Sequence, residues 1–205
     1  MSTYEEDIAD MYYNLNDYFT IMNIPFSAIE KRIGGLGSGE IDVLAVKVKN
    51  NKFLDAVHAE VSVSISEKFP FRSDKGNKGA DDCYKILKKF FLSDGEYKIK
   101  EILGKTKYKR VAITSTFKKD CLEKIKERMP YWGAKVINHS QAKGKIKLKI
   151  NYKSKTLDIE LIPFEILLQE TMRLFKSKGL IGKNFQDKRY RDINYLRELS
   201  NGRCN

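Results

Sequence analysis

Apolar residues recur at helical spacing from Tyr4 to Met22, where Tyr4, Ile8, Met11, Leu15, Tyr18, Phe19 and Met22 form one stripe. Glu5, Glu6, Asp7 and Asp10 enrich the first turns, as the positive end of a helix dipole favours. The pattern predicts one amphipathic helix ended by Pro25, a short strand from Ser27 to Ile33, and a glycine-rich turn from Gly34 to Gly39. The period then changes to two. Ile41 to Lys49 is β-branched and apolar, Asn50-Asn51 is turn chemistry, and Lys52 to Ser66 alternates, which predicts an antiparallel pair. In the second strand Val57, Ala59, Val61, Val63 and Ile65 point to a core, while His58, Glu60, Ser62, Ser64 and Ser66 form a polar face.

Residues 67 to 79 hold a Pro, two Gly and mixed charge, and read as a basic loop. From Ala80 to Leu92, Tyr84, Leu87, Phe90 and Phe91 mark a helix whose outer side carries Lys85, Lys88 and Lys89. Lys109 to Thr116 reads as a buried strand, Lys118 to Met129 as a helix closed by Pro130, and Ala134 to Asn138 as a short strand. The order is α-β-β-β-α-β, then α-β. Lys145 to Tyr152 alternates strictly and pairs with Thr156 to Ile162 as a basic hairpin, and a helix follows over Pro163 to Phe175. Asn184 to Leu199 interleaves Lys188, Arg189, Arg191 and Arg197 with Phe185, Tyr190 and Tyr195, which reads as a basic helix on the surface or at a dimer contact. These elements make an α/β protein of one core, residues 1 to 142, with a basic hairpin and helical extension, residues 143 to 205, packed on the same domain.

Charge sharpens this picture. The 205 residues carry a net +12, yet residues 1 to 66 hold 5 Lys and Arg against 10 Asp and Glu, and the remainder 34 against 17. An acidic first third inside a basic chain fits clustered carboxylates framed by a phosphate-binding surface. Cys83, Cys121 and Cys204 lie far apart with no CxxC pair, so neither a disulfide framework nor a structural zinc site is expected. The N-terminus is acidic, and no run approaches the ~20 apolar residues of a membrane span, so a soluble cytoplasmic protein is expected. Gly35-Leu36-Gly37-Ser38-Gly39 precedes a strand and lacks a GK[ST] ending, which excludes a phosphate loop.

Neighbouring strands run ~4.8 Å apart, so Asp42 and Glu60 can converge on one ion. Strands are depleted in Asp and Glu, which sets such a pair apart from background. With the Val61 carbonyl, the two carboxylates offer the oxygen ligands a hard cation such as Mg²⁺ prefers. Gly39-Glu40-Ile41-Asp42-Val43-Leu44-Ala45 followed by Ala59-Glu60-Val61-Ser62 resembles the signature of the PD-(D/E)XK nuclease superfamily, over about residues 1 to 140. That resemblance implies a restriction-endonuclease-like core with a mixed central sheet flanked by helices. It also implies a Mg²⁺-dependent endonuclease, with Mn²⁺ as a substitute, cutting DNA in a restriction, resolution or repair setting. Asp42, Glu60 and Val61 become the metal ligands. Because two sites related by a two-fold axis most simply cut two strands, a homodimer is expected.

Ser62 stands where the superfamily has the ExK lysine, and a hydroxyl supplies no positive charge. The replacements are Lys47, Lys68, Lys85 and Lys88; alternation turns Lys47 away, and Lys85 is preferred because the helix after the Glu strand lies across the site. Many members add a glutamate from the first helix, here Glu5, with Glu6 and Asp7 as rivals and dipole complementation as the plain reading of all three. His58 is read as a partly exposed polar residue outside the catalytic set. Phosphate contacts are expected from Lys68, Arg72, Lys75, Lys78 and Lys88 and from Lys188, Arg189 and Arg191 in the tail. RNA stands beside DNA as a substrate, since nothing here reads a 2′-hydroxyl. The alternative left by Ser62 is a catalytically inactive subunit of the same fold that binds nucleic acid or serves in assembly.

Overall fold

The computed structural model describes residues 2–26, 39–50, 52–64, 68–70, 82–91, 93–104 and 107–179. Helix α1 spans Tyr4–Leu15. Thr3 caps it: its hydroxyl accepts from the Glu6 N–H while the Glu6 carboxylate accepts from the Thr3 N–H, the reciprocal pair of a capping box. The apolar stripe continues past Leu15, but the helix does not. Asp17 takes a left-handed φ of 63°, and the chain enters strand β1, Phe19–Phe26. Tyr18, Phe19 and Met22 thus lie beyond the helix expected to hold them. Pro25 sits inside β1, an edge strand, where an absent N–H breaks no ladder.

Strands β2 (Gly39–Lys49) and β3 (Lys52–Ser62) form the expected antiparallel pair. After α2 (Asp82–Lys89) comes α3 (Ser93–Leu103), which the sequence reading left out. Then follow β4 (Lys109–Thr114), α4 (Cys121–Arg128), a 3₁₀ turn (Met129–Trp132), β5 (Ala134–Ala142), β6 (Lys145–Tyr152), β7 (Lys155–Pro163) and α5 (Phe164–Ser177). The helix expected through Met129 tightens to 3₁₀ at Pro130, and β5 runs to Ala142 because its last residues pair with β6. Lys143 and Gly144, both at positive φ, make the tight turn between them. The strand expected from Ser27 and the glycine turn from Gly34 to Ser38 lie outside the described residues.

The seven strands order as β1-β2-β3-β4-β7-β6-β5, parallel at β3-β4 and β4-β7 and antiparallel elsewhere. The protein is therefore α/β with a mixed sheet flanked by helices, and the basic hairpin β6-β7 is part of that sheet. One face carries α1 and α5, with Ile8 and Leu167 packed among Val43, Val57 and Val111. On the other, Leu87, Phe90 and Met129 cover Leu148 and Ile159, while Ile99 of α3 covers Ile41 and Leu44. Burying both faces explains the unbroken buried run from Ala56 to Glu60, where the alternation predicted an open polar face. Among the described residues no helix is long and apolar enough to cross a membrane.

Candidate active site

The register that sets Val43 against Ala59 places Asp42 across from Glu60, one step along the same ladder. Gly39, three residues before Asp42, lies close against Phe26: a Cβ there would lie 2.2 Å from the ring, which would have to shift. Asp42 and Glu60 are 6% and 0% exposed. Each is tied at one oxygen. The Val61 N–H donates to Asp42 Oδ2 at 2.6 Å, and His58 Nε2 lies 2.5 Å from Glu60 Oε1. The two remaining oxygens, Asp42 Oδ1 and Glu60 Oε2, both accept from the ammonium of Lys89, at 2.9 Å in the first case. An Asp from β2, a Glu from β3 and a Lys from the end of α2 thus meet at one point.

Burial outweighs the attraction of a single ammonium for two carboxylates. Loss of hydration, together with repulsion from Glu60, lifts the Asp42 carboxyl to about 6. Burial lifts Glu60 to about 7 against the pull of Lys89. Lys89 is held above its usual value, because two carboxylates more than offset its own partial burial. Burial pushes His58 down to about 3, so the ring is neutral. We assign its proton to Nε2, facing Glu60; Nδ1, which has no hydrogen-bond partner among the described residues, is then an unsatisfied acceptor rather than an orphaned donor. Phe90 meets the His58 ring edge-on at 4.9 Å, and Tyr108 flanks it at 6.0 Å. His58 is thus a buried partner of Glu60, not the partly exposed residue expected. Its replacement by Ala should cost about 2 to 4 kcal/mol in urea denaturation, since it opens a void and strips Glu60 of a donor. A loss under 1 kcal/mol would show that the contact contributes little.

The lysine on the carboxylates is Lys89, a residue the helical pattern placed on the outer side. Lys85, preferred from the sequence, stands on the same helix one turn before Lys89, and its side chain is outside the described residues. Lys88 turns to the Trp132 ring, 5.3 Å from its centroid. Lys47 points away as predicted, donating to the Asn16 carbonyl at 2.8 Å. Lys68 is exposed, and Ser62 ends β3 half-buried, in register with Thr114. Of the first-turn carboxylates, Glu6 couples to the site: partial burial and then the charges of Asp42 and Glu40 raise its carboxyl. Glu5, half-buried on the same turn, shows no bond to Asp42 or Glu60 among the described residues. Arg72, Lys75, Lys78, Lys188, Arg189 and Arg191 lie outside the described residues.

Among the described residues, no group of three or more His, Cys, Asp and Glu side chains is arranged to hold a metal ion. The carboxylate pair is nevertheless an all-oxygen donor set, which suits a hard divalent cation completed by a carbonyl, water and substrate oxygens. No family model, curated protein or solved structure matches the chain.

Proposed function

We propose that the protein is a metal-dependent nuclease of the PD-(D/E)XK type that hydrolyses phosphodiester bonds, with DNA as the first substrate to test and RNA as the second. The observation that carries this reading is the convergence of Asp42 Oδ1 and Glu60 Oε2, each on a carboxylate fixed at its other oxygen, on one ammonium from α2. Asp42 and Glu60 would hold the ion with the Val61 carbonyl. A bound Mg²⁺ or Mn²⁺ supplies positive charge against the phosphoryl oxygens and acidifies a water. The chain's own residues do the rest. The Val61 N–H and His58 fix the direction of the two carboxylates, and Lys89 carries the charge that Ser62 cannot, orienting the attacking water. A homodimer belongs to the same reading, and a reducing compartment such as the cytoplasm suits the buried cysteine Cys121.

Protonation competes with the metal. Both carboxyls titrate near 6 to 7, so a divalent ion must displace protons below that range, and its affinity should rise from pH 5 towards pH 7 by up to about tenfold per unit for each proton released and level off by pH 8. Calorimetric titration of the full chain with Mn²⁺ reads this directly. Binding that ignores pH would place the ion elsewhere.

A second reading has its own support. Lys89 already neutralises both free oxygens, and Glu60 is fully buried, as in a structural ion cluster of a silent nucleic-acid-binding subunit. Incubation with supercoiled plasmid, linear duplex, a four-way junction and single strands, in Mg²⁺, Mn²⁺ or EDTA, separates the two. Metal-dependent products support the nuclease; binding without any product supports the silent subunit.

A further inference from the structure

The end of α2 divides its side chains between two places. Lys89 and Phe90 turn to the carboxylates and His58. Lys88 and Phe91, joined by the turn in which the Phe91 N–H donates to the Lys88 carbonyl at 2.9 Å, meet Trp132 instead, Lys88 at 5.3 Å from the ring centroid and Phe91 at 6.3 Å between rings. Phe91 also stacks on Tyr152 at 4.7 Å with 17° between planes, and Lys153 lies over the Tyr152 ring. The Arg128 guanidinium sits 5.0 Å from the Tyr131 ring and 5.7 Å from that of Trp132. Aromatic rings and cations thus alternate across one surface that starts at the residue next to Lys89.

Core packing accounts for part of this surface, because Phe91, Trp132 and Tyr152 are half-buried against the core under α4. It does not account for Tyr131, which is 78% exposed. Nor is Tyr131 loosely held. Pro130 fixes the backbone immediately before it, and Gly133, at a φ of 69°, closes the 3₁₀ turn two residues later. A large ring displayed in water on a stiffened turn, with a guanidinium over it, is preorganised for a flat partner. A base offers such a face when unpaired, and its phosphates complement Arg128, Lys88 and Lys153; in a duplex the face is stacked out of reach.

We propose that the surface formed by Lys88, Arg128, Tyr131, Trp132 and Tyr152 binds an unpaired nucleic-acid strand, with a base stacked on Tyr131 and phosphates on the surrounding cations. This inference rests on the nuclease reading for its link to the carboxylates, and it makes the substrate a strand with a single-stranded portion beside the cleaved bond. The surface is formed by described residues alone, and only Lys88 among them was expected from the sequence to touch nucleic acid.

The test is fluorescence anisotropy of the full chain in EDTA, with a labelled 20-mer of dT, the matching rU strand and a blunt duplex. Y131A should weaken single-strand binding by about tenfold and leave duplex binding unchanged, while Y131F binds like wild type. R128A should lower the slope of log affinity against log salt by about one. Whichever of dT and rU shows the Tyr131-dependent loss identifies the sugar of the bound strand. Equal binding by Y131A and wild type on both single strands, or a duplex loss as large as the single-strand loss, would overturn the proposal. Because EDTA removes cleavage, the two readings fail separately: a Tyr131-dependent strand without metal-dependent products sinks the nuclease alone, and duplex cleavage with no Tyr131 effect sinks the platform alone.

Discussion

Replacing Asp42 with Asn, or Glu60 with Gln, is expected to lower metal-dependent cleavage by on the order of 10²- to 10³-fold or more and, at pH 8, to make the protein more stable. The second half follows from the same burial that builds the site. In the folded chain Asp42 titrates near 6 and Glu60 near 7, raised from 3.8 and 4.5. Between about pH 4 and 7 the folded chain therefore holds protons that the unfolded chain has released. The sign is fixed by that excess: stability is greatest at the acid end of the window and declines as pH rises through the folded values, and above pH 7 the full cost is present. A neutral amide removes the cost but also one Lys89 hydrogen bond, so a net gain of about 1 kcal/mol is expected at pH 8 and almost none at pH 5. Thermal melts of wild type and both variants at the two pH values measure it. Variants less stable than wild type at pH 8 would mean that the Lys89 ion pair dominates burial, and cleavage by both at the wild-type rate would remove the nuclease reading.

Those carboxylates were legible in the sequence because their signal is local. Asp42 and Glu60 each lie within a β-branched run, and strand alternation alone sets them on one face. What alternation cannot report is what lies above that face. A strand in an open antiparallel sheet and one covered on both sides share a polar pattern when the covering helix brings its own polar groups. Here α2 and the turn after it bring Lys89 to Glu60 and Phe90 to His58, so residues predicted to meet solvent meet each other. Lys89 escaped for a related reason: three lysines on one short helix look alike until its tilt is known. The helix expected through Met22 failed differently. Its apolar stripe is real, but Tyr18 is reached through a left-handed Asp17, and a hydrophobic pattern contains no record of where the backbone turns. The parallel pairings of β4 with β3 and β7 are non-local, and no run of residues announces them.

Moving the ammonium back to β3 is the sharpest test of what Lys89 does. Lys89→Met keeps the length and apolar stem of the side chain while removing the charge, and should cut cleavage by about 10²- to 10³-fold. Loss alone does not separate a catalytic lysine from a structural one, since the variant also leaves two buried carboxylates without their counter-charge. Ser62 provides the separation. It lies two residues after Glu60 on the same strand face, so a lysine there approaches the carboxylates along β3 instead of from α2. The double variant Lys89→Met with Ser62→Lys should recover at least tenfold of the lost cleavage, with the single Ser62→Lys variant folded and active as its control. If the double variant regains stability at pH 8 but no cleavage, Lys89 serves the fold by neutralising Asp42 and Glu60. The carboxylates, His58 and Lys89 would then be an ion cluster at the centre of a protein that binds nucleic acid without cutting it.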